Sequence, residues 1–347
     1  MKLGLIIAIL TITLTGHAEN LEERISRTPD ELIGQLLDHY GTVFRGSYVE
    51  ALSVIVRSRE EGLESIKPIV AGQLESPAKL SNGGVIAGRL IFAELAAENP
   101  LAKQRVIDAA DLAFNEDGSP KPAMPFHSEM SDAIFMAGPI LAKAGALTGE
   151  RKYFDQAVQQ IKYIQKLCLR DDGIYRHSPL DESAWGRGNG FPAIGIAMIL
   201  EDLPASHPGY DVAKTSLLNH LEALKPHQDK SGMWHQVIDH PESYPEFTCT
   251  CMISYAALVA KRNGWLESKE WDDAIRKSWK AICSRIDLSG RNVEGACTGT
   301  GKQKSLEAYL TRKEIYGFDD RSGSMALLLA SEAIKLRADF FSSAPRD

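Results

Sequence analysis

Apolar residues recur at three- and four-residue steps along most of this chain, as in "SDAIFMAGPILAKAGAL" and "CMISYAALVAKRNGWL", while runs of strict alternation are scarce. Helices must therefore build the fold, and they come in pairs. The stretches "AAENPLAKQRVIDAA", "ALTGERKYFDQAV", "LPASHPGYDVAKTSL" and "RNGWLESKEWDDAI" each join an apolar helix end, through a polar turn, to a new helix. Their anchors Asn99, Gly149, His207 and Gly264 lie 50, 58 and 57 residues apart. That period fits two helices and their connections, so the expectation is an all-α chain of stacked helical hairpins, arranged as an open solenoid or a closed α/α barrel.

No Gly/Ser-rich or Pro-rich linker interrupts the pattern, which predicts one domain over residues 19–347. The first 18 residues carry Lys2, an apolar run from Leu3 to Leu14, and small residues at Gly16 and Ala18, the pattern of a secretory signal peptide. The run is shorter than the roughly 20 residues that span a bilayer. An exported protein is expected, periplasmic or secreted, with no membrane association after cleavage. A net charge of -7 with interspersed signs leaves no basic stripe and argues against nucleic acid as a partner. The five cysteines, Cys168, Cys249, Cys251, Cys283 and Cys297, are too sparse for a disulfide framework and read better as buried small hydrophobes. One or two bridges would still be compatible with an oxidising compartment. Cys249 and Cys251 have no second thiol pair or neighbouring histidines to complete a zinc set, so no metal and no cofactor are expected.

Between the hairpin junctions lie longer segments rich in aromatic, His and charged residues: "MPFHSEMSD", "DGIYRHSPLDESAWGRGNGF", "SGMWHQVIDHPESYPEF" and "GACTGTGKQKSLEAYL". A closed barrel would gather them at one mouth, the arrangement a pocket needs. Within them, Trp185, Arg187, Asn189 and Phe191 alternate with Gly186, Gly188 and Gly190. Flat rings beside planar hydrogen-bonding groups suit a sugar; the alternative is a helix start packed by two aromatics, with Arg187 in a structural ion pair. Asp132 opens an apolar helix, where it serves as a cap or, beside a ligand, as a proton donor. His177 and His235 each follow an aromatic residue after a turn. GxSxG, HExxH and P-loop patterns are absent.

Several of these segments, in order, resemble the unsaturated uronyl hydrolases of glycoside hydrolase families 105 and 88. "GIYRHSPLDESAWGRGNGFPAIGIAMILEDLP" is similar to a Gly-Leu-Phe-Tyr-His stretch followed by Trp-x-Arg-Gly-Asn-Gly-Trp, and "SDAIFMAGPILAKAGAL" to an Asp-x-x-(Phe/Tyr)-Met-x-x-Pro helix. "GMWHQVIDHPESYPEFTCTCMISYAALVAKRNGWL" and "CTGTGKQKSLEAYLTRK" continue the likeness, which covers about residues 120–335. The resemblance implies an (α/α)6 barrel of helical hairpins. It also implies removal of a 4,5-unsaturated uronic acid from the non-reducing end of lyase-generated oligosaccharides, by protonation and hydration of a vinyl ether. Asp132 falls on the proton donor; His177, Trp185, Arg187, Asn189, Phe191, His235 and Glu246 fall on substrate-binding segments, with Arg187 and His177 holding the uronate. The family's earlier acidic position falls on Gly83, beside Asn82, and Met130 and Phe191 stand where the family often has Trp. A glycan-binding barrel without catalysis, and a lyase or epimerase on the same toroid, are the alternatives.

Overall fold

The structure, a computed structural model, describes residues 20–336, 340 and 341; the expected signal peptide lies outside the described residues. Its helices are α1 (Pro29–Leu37), α2 (Tyr48–Glu61), α3 (Leu63–Glu75), α4 (Gly83–Gly88) continued by α5 (Ile91–Leu95), α6 (Pro100–Ala110), α7 (Ala133–Thr148), α8 (Arg151–Cys168), α9 (Gly186–Asp202), α10 (Tyr210–Leu224), α11 (Phe247–Arg262), α12 (Lys269–Ser284), the short α13 (Leu306–Leu310) and α14 (Asp320–Ala333). The inner ring consists of α2, α4 with α5, α7, α9, α11 and α14; each packs on the next, and α14 returns to α2. The outer helices α1, α3, α6, α8, α10 and α12 each pack against the ring. The array is closed, an (α/α)6 barrel.

Side-chain pattern decides which helix goes where. In α12 the buried residues Trp271, Ala274, Ile275, Ser278 and Ile282 follow one stripe, so that helix can lie on the outside with its charged face in water. In α11 every residue from Phe247 to Ala260 is buried, and in α9 every residue from Gly186 to Leu200, which only a position inside the ring satisfies. Gly195 sets the approach of α9 to α7: a Cβ there would sit 2.8 Å from the backbone nitrogen of Phe135. Local signals fix the helix ends. Thr28 and Glu31 form a reciprocal capping box at α1, Asn99 accepts from two amides ahead of α6, and Gly149, with φ of 76°, closes α7.

The junction residues read from the sequence, Asn99, Gly149, His207 and Gly264, all lie in inner-to-outer turns, at the C-terminal ends of the inner helices. The outer-to-inner connections therefore gather at the opposite end, the mouth. Two small antiparallel hairpins order them: β1 (Trp234–His235) with β2 (Pro245–Glu246), and β3 (Val293–Cys297) with β4 (Glu314–Gly317). All five cysteines are buried and free, as the small-hydrophobe reading expected. Among the described residues no helix is long and apolar enough to cross a membrane.

Candidate active site

A cavity of about 240 Å³ opens at the mouth, where the N-terminal ends of the inner helices converge. Ser47, Asn82, Asp132 and Trp185, which precede α2, α4, α7 and α9, all line it, together with Arg321 from the first turn of α14. The positive ends of helix dipoles face this space, and each contributes about 0.3–1 kcal/mol to an anion held there. Among the described lining residues Asp132 is the one carboxylate.

Asp132 does not cap its helix. Its backbone is helical and its side chain takes no amide of α7. Instead Oδ2 lies 2.8 Å from His177 Nε2, and His177 Nδ1 lies 2.8 Å from the Tyr309 hydroxyl. Tyr309 in turn accepts from the Gln303 backbone N–H at 3.1 Å. With the phenol donating to Nδ1, the neutral imidazole carries its proton on Nε2, which donates to the carboxylate. Burial pushes the Tyr309 phenol up to about 12, so it remains a donor. The histidine is fully buried and packs at a tilt of 44° against Trp185, with ring centroids 4.5 Å apart. Asp132 is thus oriented through one oxygen, while Oδ1 takes no hydrogen bond from the described residues.

Trp185, Arg187 and Phe191 also line the cavity. Phe191 packs edge-on against Tyr48, with centroids 5.8 Å apart, which ties the pocket wall to α2. Arg187 is present for a different reason. Its guanidinium donates to the Cys297 carbonyl (2.5 Å), the Thr298 carbonyl (2.7 Å) and the Thr248 hydroxyl (3.3 Å), lies 3.7 Å from Glu246, and covers the Trp185 ring. Burial opposes its charge most strongly, but Glu246 together with Cys297, Tyr48 and Asp132 outweighs that and holds its pKa above the usual arginine range. Arg187 clamps the loop after β3 to α9 through both Nη groups, while its Nε–H takes no partner among the described residues.

Four expected contacts stand away from the cavity. His177 sits behind Asp132 and positions it. Asn189 bridges both backbone groups of Tyr175 and the Trp185 carbonyl, fixing the two segments that carry His177 and Trp185. Glu246 is fully buried, caps α11 through the Cys249 amide, and accepts from Thr248 and the Cys297 amide. His235 binds the Ser243 carbonyl and Asp229, outside the lining set.

The sequence reading passed over Tyr48, His127 and Arg321. Tyr48 and Arg321 lie in helix first turns without a motif. His127 and its neighbour Phe126 have φ of 53° and 63°, a left-handed pair without glycine, at about 1–3 kcal/mol of strain each. Gly83, where the family acid was expected, supplies the seat: a Cβ there would lie 2.4 Å from His127 Nδ1. The imidazole fills the space that any side chain at 83 would need. Asn82 is occupied as the α4 cap, through the Val85 amide.

Known proteins resemble this chain in sequence and in fold. An unsaturated rhamnogalacturonyl hydrolase of Bacillus subtilis is 26% identical over 245 residues, covering 67% of this chain and 64% of that protein, so the chain spans just under two thirds of its relative's length. A glycosyl hydrolase family 88 structure from Bacteroides vulgatus superposes with a TM-score of 0.72 at 17% identity, over 89% of this chain and 99% of that one. A polysaccharide lyase structure also superposes at 0.72, with 15% identity over 96% and 100% of the two chains. At such identities the two structures share the fold alone. Residues 99–337, more than half of the chain, match the family described as Glycosyl Hydrolase Family 88, and the chain belongs to that family.

Proposed function

We propose that this protein is an exported hydrolase that removes a 4,5-unsaturated uronic acid from the non-reducing end of oligosaccharides left by a polysaccharide lyase, with an unsaturated uronyl-rhamnose unit as its substrate. The observation that carries this reading is Asp132: a lone carboxyl in an otherwise electropositive cavity, fixed through Oδ2 by His177, with Oδ1 left for a ligand. In the substrate, C5 bears the ring oxygen. A proton delivered from Asp132 to C4 therefore leaves the positive charge shared between C5 and that oxygen. Water adds at C5 and returns a proton to the carboxylate. The hemiketal opens to a ketone at C5, and the hemiacetal freed at C1 releases the neighbouring sugar. The Trp185 and Phe191 rings flank the sugar, and the His177–Tyr309 chain keeps the carboxyl pointing at it.

The polysaccharide lyase among the structural neighbours shows that this fold alone does not choose the reaction, and the direction of one absorbance change does. Purified protein is mixed with lyase digests of pectin, ulvan and glycosaminoglycans. Loss of the ultraviolet absorbance of the conjugated double bond, with release of a sugar, supports the hydrolase. A rise in absorbance on intact polysaccharide identifies a lyase, and binding without any change identifies a glycan-binding barrel; either outcome overturns the proposal.

A further inference from the structure

We infer that Arg321 and His127 form the anion-holding pair of the cavity and select a substrate whose uronate carries its negative charge. The inference rests on the proposed function and names how the same site recognises its substrate. Of the arginine and histidine side chains at or just behind the cavity, Arg187 is tied through its Nη groups to carbonyls and Glu246, and His177 to Asp132 and Tyr309. Arg321 and His127 keep donors free. Arg321 lines the cavity with its guanidinium 3.9 Å from where a Gly299 Cβ would lie, and it has no ion pair or hydrogen bond among the described residues. The adjacent Asp320 pairs with Arg45 at 3.6 Å rather than with Arg321.

His127 reaches the same space. Its Nδ1 accepts the Gly83 N–H at 3.1 Å, so in the neutral ring the proton lies on Nε2, which has no partner among the described residues. The left-handed pair at Phe126 and His127 and the side-chain-free seat at Gly83 together hold the imidazole against the cavity. A planar guanidinium and an N–H donor at the positive ends of the inner helices suit a carboxylate and do not suit its ester.

The test uses the unsaturated uronyl-rhamnose disaccharide of rhamnogalacturonan as free acid and as methyl ester, two probes that differ in one charge. For the wild-type chain the acid is expected to have a KM about 10- to 100-fold below that of the ester, the span of one charge-assisted hydrogen bond. Arg321→Gln is expected to raise the acid's KM by about the same factor, leave the ester's KM unchanged, and keep kcat within about threefold; Arg321→Lys recovers part of the loss. Gly83→Ala drives a Cβ into the imidazole and is expected to shift the acid's KM as His127→Ala does. An Arg321→Gln protein that melts like wild type and keeps the wild-type ratio of acid to ester overturns the pair while the proposed reaction stands. Should the wild-type chain turn over neither probe, the reaction falls and calorimetric binding decides the pair. Preference for the acid that disappears in Arg321→Gln upholds it, and equal binding of both probes overturns it.

Discussion

Replacing Tyr309 by Phe removes one oxygen and leaves the ring that packs edge-on against His177, 5.6 Å between centroids. That oxygen makes two bonds. Its O–H donates to His177 Nδ1 at 2.8 Å, and it accepts the Gln303 amide at 3.1 Å. The amide belongs to a half-buried loop that water can reach, so its loss is small. His177 is fully buried, and Nδ1 would be left as an orphaned acceptor at a cost of about 1–3 kcal/mol. The donor that fixes the imidazole proton on Nε2 would be gone, and with it the hold on Asp132. If the whole penalty appears in the transition state, kcat falls by roughly 5- to 150-fold, because each 1.36 kcal/mol is a factor of ten. Steady-state kinetics on an unsaturated disaccharide and urea unfolding of the same preparation measure both effects. The expected outcome is a lowered kcat, a nearly unchanged KM and a stability loss within the same 1–3 kcal/mol. An unchanged kcat alongside that stability loss would show that the Tyr309–His177–Asp132 chain is structural and that Asp132 does not depend on it.

Glu246→Ala is expected to destabilise the fold by about 3–5 kcal/mol, because it strands the buried Arg187 charge and the Cys249 and Cys297 amides; urea unfolding checks this. His235→Ala is expected to leave kcat and KM within about threefold of wild type, since the side chain faces Ser243 and Asp229; a large KM change would place it back in the site. Burial pushes the thiols of Cys168 and Cys283 from about 9 up to about 12. The folded chain therefore keeps protons that the unfolded chain releases. The stability this contributes is complete below about pH 8.5 and is lost as pH rises toward 12, at up to about 1.4 kcal/mol per pH unit for each thiol. Unfolding free energies measured across that range should fall, and Cys168→Ala should flatten the slope.

The barrel was legible because its signals are local. Helical periodicity, the turn residues around Asn99, Gly149, His207 and Gly264, and the long apolar runs within α9 and α11 each act within a few residues. Asp132, Trp185 and Phe191 were legible because loops opposite those turns must share one mouth. The roles of Arg187 and Glu246 were not, since they depend on a carbonyl 110 residues away and an amide 51 residues away that ring closure brings alongside. Arg321, Tyr48 and His127 carry no motif. Their place in the cavity follows from where α14 meets α2 and from the empty Cβ position at Gly83, neither of which any short stretch of sequence records.

The account stands on Asp132 as the proton donor, and Asp132→Asn tests it most directly. The amide keeps the shape of the side chain and can still take the Nε2–H of His177 on its oxygen, yet it has no acidic proton to give. With melting temperature and disaccharide binding retained, consumption of the double-bond absorbance should drop to the uncatalysed rate. Turnover by the Asn protein at a substantial fraction of the wild-type rate would contradict the account and move the chemistry to another group.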